Sequence, residues 1–214
     1  MEYQPLLSTY LKNIETINPQ TREHTHRTHL ENLLKSIKES LSPKNEALQS
    51  LRITHEPNND KEGRGAPDFL IHNQGLIVGY IENKRVNADL DSIAKSPQVE
   101  KYLRLSDNLM LTDYLRFALV RNEKGKAQIV QEYRICELSQ MSSTLKNKAL
   151  LQSKEKELIE AFNLFFTHSP KPIITALEFA NALAQRTQIL KDSLIQAQHN
   201  PHILNPLNYP KIRS

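Results

Sequence analysis

Apolar positions recur at helical spacing through residue 41, give way to short runs bounded by turn residues, and return to helical spacing near the end. Leu6, Leu7, Tyr10, Leu11 and Ile14 form one stripe and predict a short helix within residues 1–20, which Asn18-Pro19 breaks. Leu30, Leu33, Leu34, Ile37 and Leu41 predict a longer helix from about Thr21 to Leu41, closed by Ser42-Pro43. Leu51 to His55 reads as a strand and Glu56 to Gly65 as a polar, glycine-containing loop. Phe69 to Ile71 and Leu76 to Ile81 flank the turn signal Asn73-Gln74-Gly75, which predicts a β-hairpin. A polar loop from Arg85 to Ala94 follows. Ser96-Pro97 then supplies an N-cap and a first-turn proline for a helix over Pro97 to Leu105. Asn108 to Asp113, Tyr114 to Asn122 and Ala127 to Ile135 read as strands, the last two joined by a turn at Asn122 to Lys126. Residues 144–168 and 173–198 read as two helices punctuated by Pro170 and Pro172, an αα-hairpin. The tail, His199 to Ser214, lacks periodicity. Together these elements predict an α/β domain with a mixed sheet flanked by helices over residues 1–140, a helical connector over 141–200 and an irregular tail over 201–214.

Composition narrows the setting without naming a function. The chain has 214 residues, 38% hydrophobic and 24% charged, a size that supports one substantial core. It has no apolar run of membrane-spanning length, and its first residues lack a signal-peptide layout. One cysteine, Cys136, leaves no internal disulfide framework and no cysteine-based zinc site. These features predict a cytoplasmic protein. A net charge of +4 favours a polyanionic partner only mildly. His24, His26 and His29 lie close together but lack a metal-binding spacing, and a solvated helix start accounts for them.

Chemistry concentrates at the open end of the predicted hairpin. Asp68 begins the first strand, and Glu82 and Lys84 end the second. Folding about residues 73–75 brings Asp68 opposite the segment Tyr80 to Glu82. Alternation puts Glu82 and Lys84 on one face and Asn83 on the other. Two carboxylates beside a lysine offer hard oxygen ligands for Mg²⁺ and a cation near an attacking water. As plain residues they also read as a surface ion pair of little energetic value.

Wider spacing adds to the trio. Pro67-Asp68 and Glu82-Asn83-Lys84 resemble the PD-(D/E)xK nuclease superfamily, and Gln98-Val-Glu-Lys-Tyr102 matches the Gln-x-x-x-Tyr helix that often follows. Gly65-Ala-Pro-Asp-Phe, Gly79-Tyr-Ile-Glu-Asn-Lys and Asp107 to Phe117 are similar to the N-terminal endonuclease part of type IIG-like restriction–modification enzymes. Phe179 to Arg186 resembles the start of their helical connector. The likeness covers most of residues 20–195.

The resemblance implies a restriction-endonuclease-like fold and Mg²⁺- or Mn²⁺-dependent hydrolysis of DNA phosphodiester bonds. It implies that Asp68 and Glu82 bind the metal, Lys84 assists the water, and Gln98 orients the water or a phosphate. It further implies that Glu31 reaches the metal through a water, that Arg64 contacts DNA, and that Tyr102 packs in place or contacts the DNA strand. Double-stranded DNA is the implied partner, and a homodimer fits double-strand cutting. The chain contains no Asn-Pro-Pro-Tyr motif and no glycine-rich cofactor loop, so methylation and site recognition are expected of a further domain or subunit. The alternatives are an inactive or truncated remnant that binds DNA or a partner, and a structure-selective repair nuclease.

Overall fold

A computed structural model describes residues 5–55 and 67–169, with isolated positions between 175 and 191. The helices α1 (Leu6–Asn13) and α2 (Arg27–Leu41) come first, followed by two short 3-10 turns and β1 (Leu51–His55). A hairpin of β2 (Phe69–Asn73) and β3 (Leu76–Asn83) leads to α3 (Leu90–Ile93) and α4 (Pro97–Leu105). Then come β4 (Leu109–Thr112), β5 (Arg116–Glu123), β6 (Lys126–Arg134), α5 (Met141–Lys146) and α6 (Lys148–Phe166). The six strands form one sheet in sequence order, antiparallel throughout except where β3 and β4 run parallel. Parallel neighbours need a crossover, and the segment carrying α3 and α4 supplies it. The α/β class and the helix-flanked mixed sheet are as the sequence predicts.

Turn chemistry starts the hairpin, and a bulge between Ile71 and His72 shifts its register by one residue. Gln74 and Gly75 both have positive φ, 49° and 80°, between the paired residues Asn73 and Leu76. Two such residues make the turn whose twist matches that of antiparallel strands. Lys124 and Gly125 repeat the arrangement between β5 and β6. Helices cover both faces of the sheet. On one, Phe69, Ile71, Ile81, Met110 and Phe117 meet leucines of α1 and α2 and the phenylalanines of α6. On the other, Leu70, Tyr80, Leu111 and Ala118 meet Leu90, Val99, Tyr102 and Leu103 of α3 and α4. A strand between two such layers is buried along both faces, and β3 is buried without interruption from Val78 to Asn83. α6, which begins within the expected connector, shares this core, and its Glu155 accepts the Leu7 N–H at 3.1 Å near the start of α1.

Several boundaries differ from expectation. α2 begins at Arg27, not near Thr21, and residues before it run through turns. The Glu23 carbonyl, which would accept the Arg27 N–H in a helix, instead accepts Asn83 Nδ2 at 2.9 Å and the Tyr114 hydroxyl. The helix expected over 144–168 is two, because Asn147 accepts the Leu150 N–H at 3.0 Å and caps a new start. The loop expected over 85–94 contains α3, one turn long, capped by Asp89. Strands expected to meet at Asp113–Tyr114 are parted by a turn in which Asp113 Oδ1 accepts the Leu115 and Arg116 N–H groups. The second helix of the expected αα-hairpin, much of the connector and the tail over 201–214 lie outside the described residues.

Candidate active site

The carboxylates meet where β2 and β3 pass out of the sheet together. Phe69 pairs with Ile81 and Leu70 with Tyr80, so the register carried one residue outward sets Asp68 opposite Glu82. Glu82 follows Tyr80 on the face that α4 covers, and Lys84 lies next on that face. The Lys84 N–H donates to the Thr112 carbonyl at 2.7 Å, extending the β3–β4 pairing past the last strand residue. Backbone pairing therefore positions all three residues of the trio.

Their side chains converge. Lys84 Nζ donates to Glu82 Oε1 at 2.8 Å, and Gln98 Nε2 donates to the same oxygen at 2.9 Å. Gln98 lies in the first turn of α4, fixed by the Ser96 cap and by Pro97. It also donates to the Tyr102 hydroxyl at 3.2 Å. Tyr102 is only 2% exposed and packs on Tyr80 at 5.5 Å between ring centroids. Tyr102 thus supports Gln98 from the core, the packing role of the two expected of it.

The opposite face contributes residues that the motif does not name. Asp68 Oδ2 accepts the Asn83 N–H at 2.7 Å, while Arg27 of α2 contacts Asp68 Oδ1. Arg27 Nε also donates to Asn83 Oδ1 at 3.0 Å. Asn83 is fully buried and bonds the Tyr114 hydroxyl as well as the Glu23 carbonyl. It ties the approach to α2, the end of β3 and the β4–β5 turn into one unit. The Glu23 carboxylate lies 3.7 Å from Lys84 Nζ and 3.9 Å from Arg27.

Glu31, one turn after Arg27 on α2, meets Lys35 at 2.5 Å and His55 at 3.1 Å, and His55 stacks on Phe69 beside Asp68. The approach to α2 adds Glu23 to the group. Arg64 lies outside the described residues. Sequence reading missed Glu23, Arg27, Asn83 and Tyr114 as participants. The four-residue spacing of Glu23, Arg27 and Glu31 was an available signal that charge lines one side of this segment. Nothing local marks Tyr114.

Electrostatics set the cluster apart. Burial and then the neighbouring Glu82 carboxylate push Asp68 up to about 7, against the opposing pull of the Asn83 N–H and Arg27. Burial alone would lower the Lys84 ammonium. Glu82, Glu23 and Asp68 outweigh it, so Lys84 is raised and stays protonated at neutral pH. Glu82 Oε2 is buried and has no hydrogen-bond partner. A buried carboxylate oxygen left unpaired is costly, and a second carboxylate beside it adds repulsion.

A divalent cation relieves both, and an all-oxygen pair suits Mg²⁺, which commonly uses one or two carboxylates and completes its shell with water and phosphate. The residues fit such an ion. Among the described residues, no group of three or more His, Cys, Asp or Glu side chains is placed to hold a metal, so Asp68 and Glu82 stand as a pair. No helix among the described residues is long and apolar enough to cross a membrane.

No family model matches the chain, and no curated protein matches it. A solved structure that does match is a cryo-EM complex of DrdV with DNA, 21% identical, with a TM-score of 0.48. The match covers 91% of this chain but 17% of that one.

Proposed function

We propose that this chain is a Mg²⁺- or Mn²⁺-dependent endodeoxyribonuclease of the PD-(D/E)xK type, the cutting module of a restriction–modification system. The observation that carries the reading is the buried, unpartnered Glu82 Oε2 beside Asp68, with Lys84 and Gln98 both anchored on Glu82 Oε1. Asp68 and Glu82 would hold the ion, which when bound supplies a polarised water and offsets charge on the phosphoryl group. Lys84, raised by the neighbouring Glu82 and Glu23 carboxylates, offers a donor and a positive charge toward the oxygens around phosphorus. Gln98 holds Glu82 in place, and its amide is the nearest side-chain dipole for orienting a water or a phosphate. The duplex is the substrate. Site recognition and methylation belong to a further domain or subunit, and double-strand cutting calls for two copies of the site.

A second reading is a DNA-binding remnant that no longer cuts, and the contact of Arg27 with Asp68 favours it by occupying a ligand oxygen. Plasmid incubated with Mg²⁺ or Mn²⁺, beside Glu82→Ala and Lys84→Ala proteins, separates the two. Cleavage by the unaltered chain alone supports the nuclease. Binding without cleavage supports the remnant, and preference for branched over linear duplex would move the substrate to repair intermediates.

A further inference from the structure

Asp68 has partners on both oxygens, the Asn83 N–H on Oδ2 and the Arg27 guanidinium on Oδ1, whereas Glu82 beside it keeps a buried oxygen spare. Arg27 is itself sunk into the cluster. Its side chain is 13% exposed, its Nε donates to Asn83 Oδ1, and Glu23 lies within 3.9 Å. Among the described residues, and with all three acids ionised, Asp68, Glu82 and Glu23 facing Arg27 and Lys84 leave one net negative charge. A divalent ion added with nothing else moved would turn the site net positive and set a dication against a guanidinium. Protons cannot resolve that conflict, because arginine does not give one up. Movement can.

We propose that Arg27 is the built-in counter-ion of this site and exchanges with the divalent cation at Asp68 Oδ1. Cation entry releases the guanidinium, and its departure removes the repulsion that would otherwise weaken cation binding. Arg27 is suited to such an exchange, because it is the first residue of α2 and has a long side chain that swings without moving the helix axis. Once released, the guanidinium keeps its charge and its fork of donors, the geometry that pairs with a backbone phosphate. The exchange rests on the reading of the site as a cation-dependent nuclease. The competing account is a fixed clamp that ties α2 to Asn83 and has no bearing on cation affinity.

Mn²⁺ binding to the DNA-free protein, measured by calorimetry at mildly alkaline pH, tests the exchange in the unaltered chain and in Arg27→Gln, Arg27→Lys and Glu82→Gln proteins. Melting in EDTA establishes that each is folded. Arg27→Gln should bind Mn²⁺ about tenfold more tightly, because a neighbouring charge ordinarily changes a carboxylate's affinity for a cation by that order. Arg27→Lys, which keeps the charge, should stay near the unaltered protein, and Glu82→Gln should bind more weakly. Unchanged or weaker binding by folded Arg27→Gln, with Glu82→Gln still impaired, overturns the exchange and leaves the nuclease reading standing. Binding indifferent to Glu82 sinks both. A measurement that needs no variant is the ¹⁵N-arginine Nε–H spectrum of the unaltered chain: Arg27 should lose exchange protection as Mg²⁺ saturates. A protected signal at saturation also overturns the proposal.

Discussion

Arg116 and Glu82 each anchor a group of opposite charges on the same sheet. Arg116 of β5 reaches Asp91 of α3 at 2.9 Å and Glu132 of β6 at 2.6 Å. Those acids are 62% and 40% exposed, so water meets the carboxylate oxygens that the arginine leaves unbonded, while Arg116 Nε is itself buried without a partner. Around Glu82 the acids that matter are covered: the Asp68 side chain is 8% exposed and that of Glu82 6%. There water cannot make up the shortfall, and one carboxylate oxygen goes without a partner. Exposed acids around one cation gain little and cost little. Two covered acids with an unfilled acceptor cost free energy. The difference lies in the burial of the acids and in which group goes short, a carboxylate oxygen beside a second acid or one arginine N–H, not in the number of charges.

The comparison can be broken most sharply through activity. Glu82→Gln should cut plasmid about a thousandfold more slowly, a loss of about 4 kcal/mol of transition-state stabilisation, while Arg116→Ala should stay within about twofold of the unaltered rate. Equal losses from both would erase the distinction. Asn83→Leu comes next. It removes the bonds to Arg27, the Glu23 carbonyl and Tyr114, and urea unfolding should register a loss of about 3 kcal/mol. Cation linkage sharpens the contrast at a similar scale. Mg²⁺ at about a hundred times its dissociation constant should stabilise the protein against unfolding by about 2.7 kcal/mol relative to EDTA, and Glu82→Gln should cancel that gain while Arg116→Ala retains it. The smallest expected effect is on stability at the Arg116 cluster, whose acids are exposed. Arg116→Ala should lower it by about 1 kcal/mol in the same urea titration.

The hairpin was legible because its determinants are local. Gly75 follows Gln74 between two apolar runs, and that fixes the turn; a bulge between Ile71 and His72 then shifts the register by one residue and sets Asp68 opposite Glu82. The same holds for α4, where Ser96-Pro97 marks the start and puts Gln98 in the first turn. The start of α2 was not legible, because its cause lies far along the chain. Asn83 and Tyr114 take the Glu23 carbonyl that a longer helix would use. The Asn147 break was local, yet a long apolar periodicity masked it. Glu31 shows what motif reading leaves out: the motif names the acid, while its contacts with Lys35 and His55 are visible only in the fold.

By itself, the sequence determined the α/β order, the two-residue hairpin turn and the alternation that sets Glu82 and Lys84 on one side of β3. Those follow from short-range sterics and a period of two. Only the tertiary structure decided that Asp68 and Glu82 are covered, that Arg27 and Glu23 join them, and that Glu82 keeps an unpaired oxygen. Burial and charge pairing depend on which distant segments meet. Here α2 and α4 reach this sheet end from opposite faces, Arg27 from far before Glu82 in the chain and Gln98 from after it.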